Sequence, residues 1–177
     1  MKRCAVLFLT LLFFISCTSI KVVTDYDSKT DFSQYKTFAF YKKGIDKAKI
    51  SDIDKRRILR AIEVEMLAKG YQKSENPDVL ISIFTKSRKK VNVDKRFYYP
   101  NYYWYPPYYF ERDRIRITKH TEGTLFIDFI DKDAKKLIWQ GIGSGTLRST
   151  SGYKKRERIQ LFVKEILKNY PLEKETK

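Results

Sequence analysis

The chain is short of the residues from which most small-protein chemistry is made. Of its 177 residues, two are cysteine and one is histidine. Cys4 lies inside an apolar leader and leaves with it, and Cys17 stands at the leader's end. No disulfide is then possible, although an exported domain could have formed one, so packing must hold the fold. No cysteine remains as a nucleophile or metal ligand. His120 has no second histidine or cysteine with which to build a zinc site, and in its polar surroundings it reads as a solvated side chain. Acids are scarce too, with 21 Asp and Glu against 37 Lys and Arg, a formal charge of +16. The apolar run at 5–15 is well below the about 20 residues of a spanning helix.

What is present begins with that leader. Lys2 and Arg3 give a positive start, the run at 5–15 is broken only by Thr10, and Phe14-Ile15-Ser16-Cys17 closes it. This is the three-part form of an export signal with a small residue before the cut. The Ser-Cys junction resembles a bacterial lipobox, in which the thiol is lipidated before cleavage, with Phe14 where that pattern usually has leucine. The expected organisation is a signal peptide over 1–16 and one domain over 17–177, lipidated at Cys17. Loss of Lys2 and Arg3 lowers the charge to +14. The remaining length is enough to bury a substantial core. Apolar content of 42% and aromatic content of 15% predict a folded chain.

Residues 20–26 read as a strand, and 35–41 as a second, with Lys36, Phe38 and Phe40 on one side. Residues 42–50 read as a basic loop through Gly44. Ser51-Asp52-Ile53-Asp54 is a helix start, and Ile58, Leu59, Ile62 and Met66 form its apolar stripe. Gly70 marks the stop, with Tyr71 placed to pack back on the last turn. Residues 79–85 are almost continuously apolar and predict a central strand. Residues 123–131 and 137–147 predict a hairpin around Asp131-Lys132-Asp133-Ala134-Lys135. Gly141, Gly143 and Gly145 fall on one face of its second strand. Ser149, Thr150 and Ser151 offer a cap for a final helix carrying Ile159, Phe162, Val163, Ile166, Leu167 and Tyr170, which Pro171 ends.

Between these elements, 86–122 reads as a basic and aromatic insertion loop. Lys86, Arg88, Lys89, Lys90, Lys95 and Arg96 lead in. Phe97, Tyr98, Tyr99, Tyr102, Tyr103, Trp104, Tyr105, Tyr108, Tyr109 and Phe110 crowd its centre. Arg112, Arg114, Arg116 and Lys119 lead out. Pro100, Pro106 and Pro107 keep a helix or central strand from running through the centre. Ile115 and Ile117 alternate with arginines, the pattern of a short edge strand. The order predicts an α+β two-layer sandwich: roughly five strands, mostly antiparallel, two helices on one face and a long aromatic loop.

Val23-Thr24-Asp25-Tyr26-Asp27 with Asp31-Phe32-Ser33-Gln34-Tyr35-Lys36-Thr37-Phe38 resembles the opening of the bacterial lipoproteins called the domain of unknown function 4136 family. Lys69-Gly70-Tyr71 with Pro77-Asp78-Val79 is similar to its middle. Gly123-Thr124-Leu125 with Asp128, and Lys136-Leu137-Ile138-Trp139-Gln140-Gly141, are similar to its final hairpin. The resemblance covers most of 20–171. It implies an envelope lipoprotein and carries over no catalytic residues.

No catalytic set, metal site or cofactor motif stands out. After Gly141 and Gly143 the dinucleotide pattern needs a third glycine, and Thr146 occupies that place. Asp128 and Asp131 fall on opposite strand faces, unlike the paired carboxylates of a glycosidase, and a loop role is expected. Three readings compete for the aromatic centre. It covers an open sheet edge; it sits at a lipid interface with its flanking cations on anionic headgroups; or it recognises a glycan or an envelope protein. Tentative contacts are Tyr98, Tyr99, Tyr102, Tyr103, Trp104, Tyr105, Tyr108, Tyr109, Lys95, Arg96, Arg112 and Arg114. Nucleic acid fits the charge and the stacking rings, and the export signal argues against it. The expectation is a non-enzymatic binding or structural lipoprotein, lipid-anchored on the periplasmic side of the outer membrane. Thr18 stands where enteric sorting, by resemblance, uses aspartate for inner-membrane retention. The alternatives are an accessory subunit of an envelope assembly or transport complex, and a cell-wall or glycan hydrolase.

Overall fold

The computed structural model describes residues 20–96, 114–147 and 152–171. In chain order these form β1 (Lys21–Tyr26), a 3-10 turn at Phe32–Gln34, β2 (Thr37–Phe40), the short helix α1 (Lys42–Asp46) and α2 (Asp52–Ala68). Then come β3 (Gln72–Lys73), β4 (Val79–Arg96), β5 (Arg114–Asp131), β6 (Leu137–Leu147) and α3 (Gly152–Leu167). The strands make one sheet in the order β1-β6-β5-β4-β2-β3. The pairs β1–β6, β6–β5 and β5–β4 are antiparallel, and β2 runs parallel to both β4 and β3. The α+β two-layer sandwich is therefore present, with six described strands because β3 adds a two-residue strand.

Local chemistry sets the helix ends. The Ser51 hydroxyl accepts the Asp54 N–H at 3.2 Å, and Asp52 and Asp54 lie in the first turn of α2 against the positive helix end. At the other end Gly70 has φ +87, where a side chain would be strained. The Tyr71 N–H then reaches back to the Met66 carbonyl at 3.1 Å. Ile58, Ala61, Ile62 and Met66 bury one face of α2, and Val163, Ile166 and Leu167 bury one face of α3.

Both faces rest on the same side of the sheet. Val79, Ile81 and Ile83 of β4, Leu125, Ile127 and Phe129 of β5, and Trp139 of β6 alternate toward it, as strand geometry requires. Trp139 meets Phe129 edge-on at 5.1 Å, and Phe129 stacks on Tyr170 at 4.4 Å. Gly141 and Gly143 let α3 come close. A Cβ at Gly141 would lie 2.4 Å from Ile166 Cγ2, and one at Gly143 2.6 Å from Ile166 Cδ1.

The two main helices point the same way. Their first turns meet where Lys155 Nζ donates to Asp54 Oδ2 at 2.6 Å. Residues just past their ends meet where the Tyr71 and Tyr170 hydroxyls share a hydrogen bond at 3.1 Å. One pole of the molecule thus holds two helix N-termini, and the other is closed by aromatic rings.

Two departures from the expected elements matter. Residues 42–50, read as a loop, contain α1, whose single apolar anchor Ile45 is buried. Residues 86–96 and 114–122, read as the arms of an insertion loop with a short edge strand at Ile115 and Ile117, are strand throughout: β4 and β5 each run 18 residues. The hairpin turn at Asp131 is as expected. Its carboxylate accepts the N–H groups of Asp133 and Ala134 at 2.9 and 2.8 Å and the Tyr35 hydroxyl at 2.8 Å.

Candidate functional site

The long β4–β5 pairing builds the site. It runs without a break from Val79 opposite Asp131 to Arg96 opposite Arg114. Its flanking strands stop early: β6 ends at Leu147, opposite Thr121, and β2 at Phe40, opposite Ile81. From Lys90 opposite His120 onward, β4 and β5 are a two-stranded ribbon among the described residues. At about 3.4 Å per residue it projects about 20 Å beyond the sheet.

Its charge is one-sided. Residues 86–96 and 114–122 carry Lys86, Arg88, Lys89, Lys90, Lys95, Arg96, Arg114, Arg116 and Lys119 against Asp94 and Glu122. Glu122 pins the ribbon's root. It is 9% exposed and accepts Arg88 Nε at 2.7 Å and Lys90 Nζ at 3.0 Å. The hydrogen bonds from Lys90 and then Arg88 hold its carboxyl below the usual range. Val91 and Ile117 lie on one ribbon face, 55% and 59% exposed.

The predicted contact residues divide accordingly. Lys95, Arg96 and Arg114 occupy the end of the ribbon, with Lys95 opposite Ile115 and Arg96 opposite Arg114. Tyr98, Tyr99, Tyr102, Tyr103, Trp104, Tyr105, Tyr108, Tyr109 and Arg112 lie outside the described residues, as do Cys17 and the proposed cap at 149–151. His120 is half-buried at the ribbon's root, opposite Lys90. The signal for the ribbon was Val91-Asn92-Val93-Asp94 and Arg114-Ile115-Arg116-Ile117, two period-two runs that can pair.

Beside the ribbon's root the helix layer lifts from the sheet and leaves a half-open cavity of about 540 Å³. Thr85, Ser87, Gly123, Leu125, Gly145 and Leu147 line it from the sheet. Ile58 of α2 and Ile159 and Phe162 of α3 wall it, and Ile50 closes the side. Lys49, Lys155 and Arg158 stand on this lining with Asp54 as the acid among them. Burial alone would raise the Asp54 carboxyl. Hydrogen bonds from Lys155, Arg57 and Ser51 outweigh it and leave the carboxyl below its ordinary value. Arg158 donates to the Thr146 carbonyl. Lys86 belongs to the opposite sheet face, where its ammonium lies 5.7 and 5.5 Å from the rings of Phe84 and Phe126.

β1 enters at this same pole, since Lys21 stands opposite Ser144, three residues before β6 ends. No described helix is long and apolar enough to cross a membrane.

The arrangement defines a class: an α+β sandwich whose sheet extends a basic hairpin beside a helix-covered cavity. The chain belongs to the family described as Domain of unknown function (DUF4136), whose model matches residues 22–172. Among solved structures it is similar to a PDZ domain protein from Parabacteroides distasonis, at TM-score 0.53 and 18% identity over 96% of this chain. This chain spans 40% of that protein's length, and the likeness is one of fold alone. It also matches a PelC dodecamer subunit from Paraburkholderia phytofirmans at TM-score 0.43 and 12% identity, covering 89% of this chain and 99% of that one. No curated protein matches the chain.

Proposed function

We propose that this protein is a non-enzymatic lipoprotein of the bacterial cell envelope. Lipid on Cys17 anchors it to the periplasmic side of the outer membrane, and the basic ribbon with the Tyr-rich segment 97–110 turns to the same anionic surface. The observation that supports this most is the direction of β1. Lys21 opens β1 at the ribbon's pole, four residues after Cys17. At about 3.5 Å per extended residue, the anchor reaches no more than roughly 14 Å from that pole. A cation near an anionic leaflet contributes about 1 kcal/mol, weakened by salt. Tyr and Trp favour the interface between water and bilayer. The ribbon therefore orients a domain that the lipid already holds.

A protein partner within an envelope complex is the second reading, favoured by Val91 and Ile117, two apolar side chains left open on one ribbon face. Two measurements test the proposal. Cys17→Ser in cells should release the protein from the membrane fraction or leave it uncleaved, and unchanged membrane extraction counts against the anchor. The protein lacking residues 1–17 keeps every buried hydrophobic side chain among the described residues, from Phe32 to Tyr170. It should bind phosphatidylglycerol vesicles in low salt, and Lys89→Glu with Lys119→Glu should abolish that binding. Equal binding by the double variant removes the membrane-facing role and leaves the protein-partner reading.

A further inference from the structure

We infer that the cavity beside the ribbon's root is a binding site for a single-chain anionic amphiphile, with the alkyl chain inside and the acidic head at the rim. Its volume of about 540 Å³ falls within the ~300–1,000 Å³ of sites that take small organic ligands. Its depth is apolar: Leu125 is 6% exposed and Ile58 7%, and Phe162 and Ile159 complete the wall. Gly123 and Gly145 contribute main chain to the sheet side of the lining. A water-filled pocket needs polar partners on several sides, and this wall offers few.

The rim supplies the other half of the match. Lys49, Lys155 and Arg158 come from the loop before α2 and the first half of α3, against Asp54, the one carboxylate among the described lining residues. That carboxylate is occupied by Lys155 and Arg57, at 2.6 and 2.9 Å. An incoming anion thus meets two cations, Lys49 and Arg158, that Asp54 does not neutralise. The Thr85 hydroxyl, buried at the lining, has no hydrogen-bond partner among the described residues and is available to one. The head can be a carboxylate or a phosphate, since both present negative oxygens to this rim. The inference stands whether or not Cys17 carries lipid, because no described residue before Lys49 lines the cavity.

The test uses the full chain in phosphatidylcholine vesicles and a fatty acid bearing a photoreactive diazirine near the chain end. Irradiation should label peptides containing Gly123 to Leu125 and Ile159 to Phe162. Dodecanoate and dodecyl phosphate should compete at concentrations about tenfold or more below dodecanol; whichever anion competes at lower concentration identifies the head. Competition should sharpen about fourfold per added methylene from eight to twelve carbons. Ser87 is exposed at the cavity's mouth, so Ser87→Trp can fill it without disturbing the core. That variant should keep its melting temperature and lose the label, and Lys49→Glu should weaken anion competition about tenfold. Label outside these two peptides, label unchanged in Ser87→Trp, or equal competition by dodecanol would each overturn the assignment.

Discussion

Replacing Gly141 with alanine tests the close approach of α3 to the sheet. The new methyl would sit 2.3 Å from Trp139 Cη2 and 2.4 Å from Ile166 Cγ2. Carbon atoms rest at about 3.5–4.0 Å, so more than an ångström must be found on two sides. Neither neighbour can yield cheaply. Both are fully buried, and the Trp139 ring is held by Phe129 at 5.1 Å and Tyr170 at 5.2 Å. Overpacking of this kind costs about 1–3 kcal/mol. Loss of glycine's excess chain entropy returns about 0.5–1 kcal/mol. The net of about 1–2 kcal/mol lowers the melting temperature by about 2–8 °C for a chain of this size. In urea the midpoint should fall with an unchanged slope. Two alanine variants serve as controls. At Gly123 the nearest atom is Leu147 Cδ2 at 2.6 Å, and Leu147 is 56% exposed and can swing aside. At Gly152 the nearest atom is Arg57 Nη2 at 3.5 Å, an ordinary contact. Both should stay within about 0.5 kcal/mol of the parent. A Gly141→Ala protein as stable as the parent, or a Gly123→Ala protein that loses as much, would refute the packing account.

Further outcomes follow from the same contacts. Replacing 97–110 with Gly and Ser should lower the melting temperature by several degrees if that segment covers the sheet; an unchanged melting curve rejects the cover. Asp128 is pushed up by burial, only partly offset by the 2.7 Å hydrogen bond from Gln140. A carboxyl raised in the native state costs stability while ionised, so Asp128→Asn should melt higher than the parent at pH 7, with the gain vanishing below pH 4; no gain at pH 7 counts against it. Asp54 behaves oppositely. Its native value lies below the ordinary 3.8, so its contribution is present above that pH and is lost as pH falls through the native value. Asp54→Asn should destabilise at pH 7 and converge with the parent in acid denaturation curves near pH 2; a constant offset would refute this.

The parts of the fold that face the core were legible. Residues 137–147 were bounded correctly because Trp139, Gly141, Gly143 and Gly145 alternate on a packed face and a turn precedes them. The α2 boundaries followed from Ser51 and Gly70, whose roles depend on local geometry alone. Of the ribbon only the short strand around Ile115 and Ile117 was legible, because neither of its faces meets the core. Beyond Thr85 the period-two signal weakens into a run of cations, and strand pairing with residues 18 to 30 positions away carries no local mark. α1 hid behind Lys42-Lys43-Gly44, where one buried isoleucine is the only apolar anchor. β3 is two residues long, too short for any pattern. The cavity had no signature at all, since its lining comes from six separate stretches of chain.

The two rims of the sheet are unequal. Among the described residues, β3 leaves a two-residue edge at one end and β1 a six-residue edge at the other. Identical copies joining antiparallel through β1 would be related by a two-fold axis normal to the sheet, which reverses the strands it mates. Every such pair sends its Lys21 ends in opposite directions. If Cys17 carries the proposed anchor, tethers in one leaflet require these ends to point alike, and that β1-to-β1 pairing is disfavoured between neighbours on one membrane.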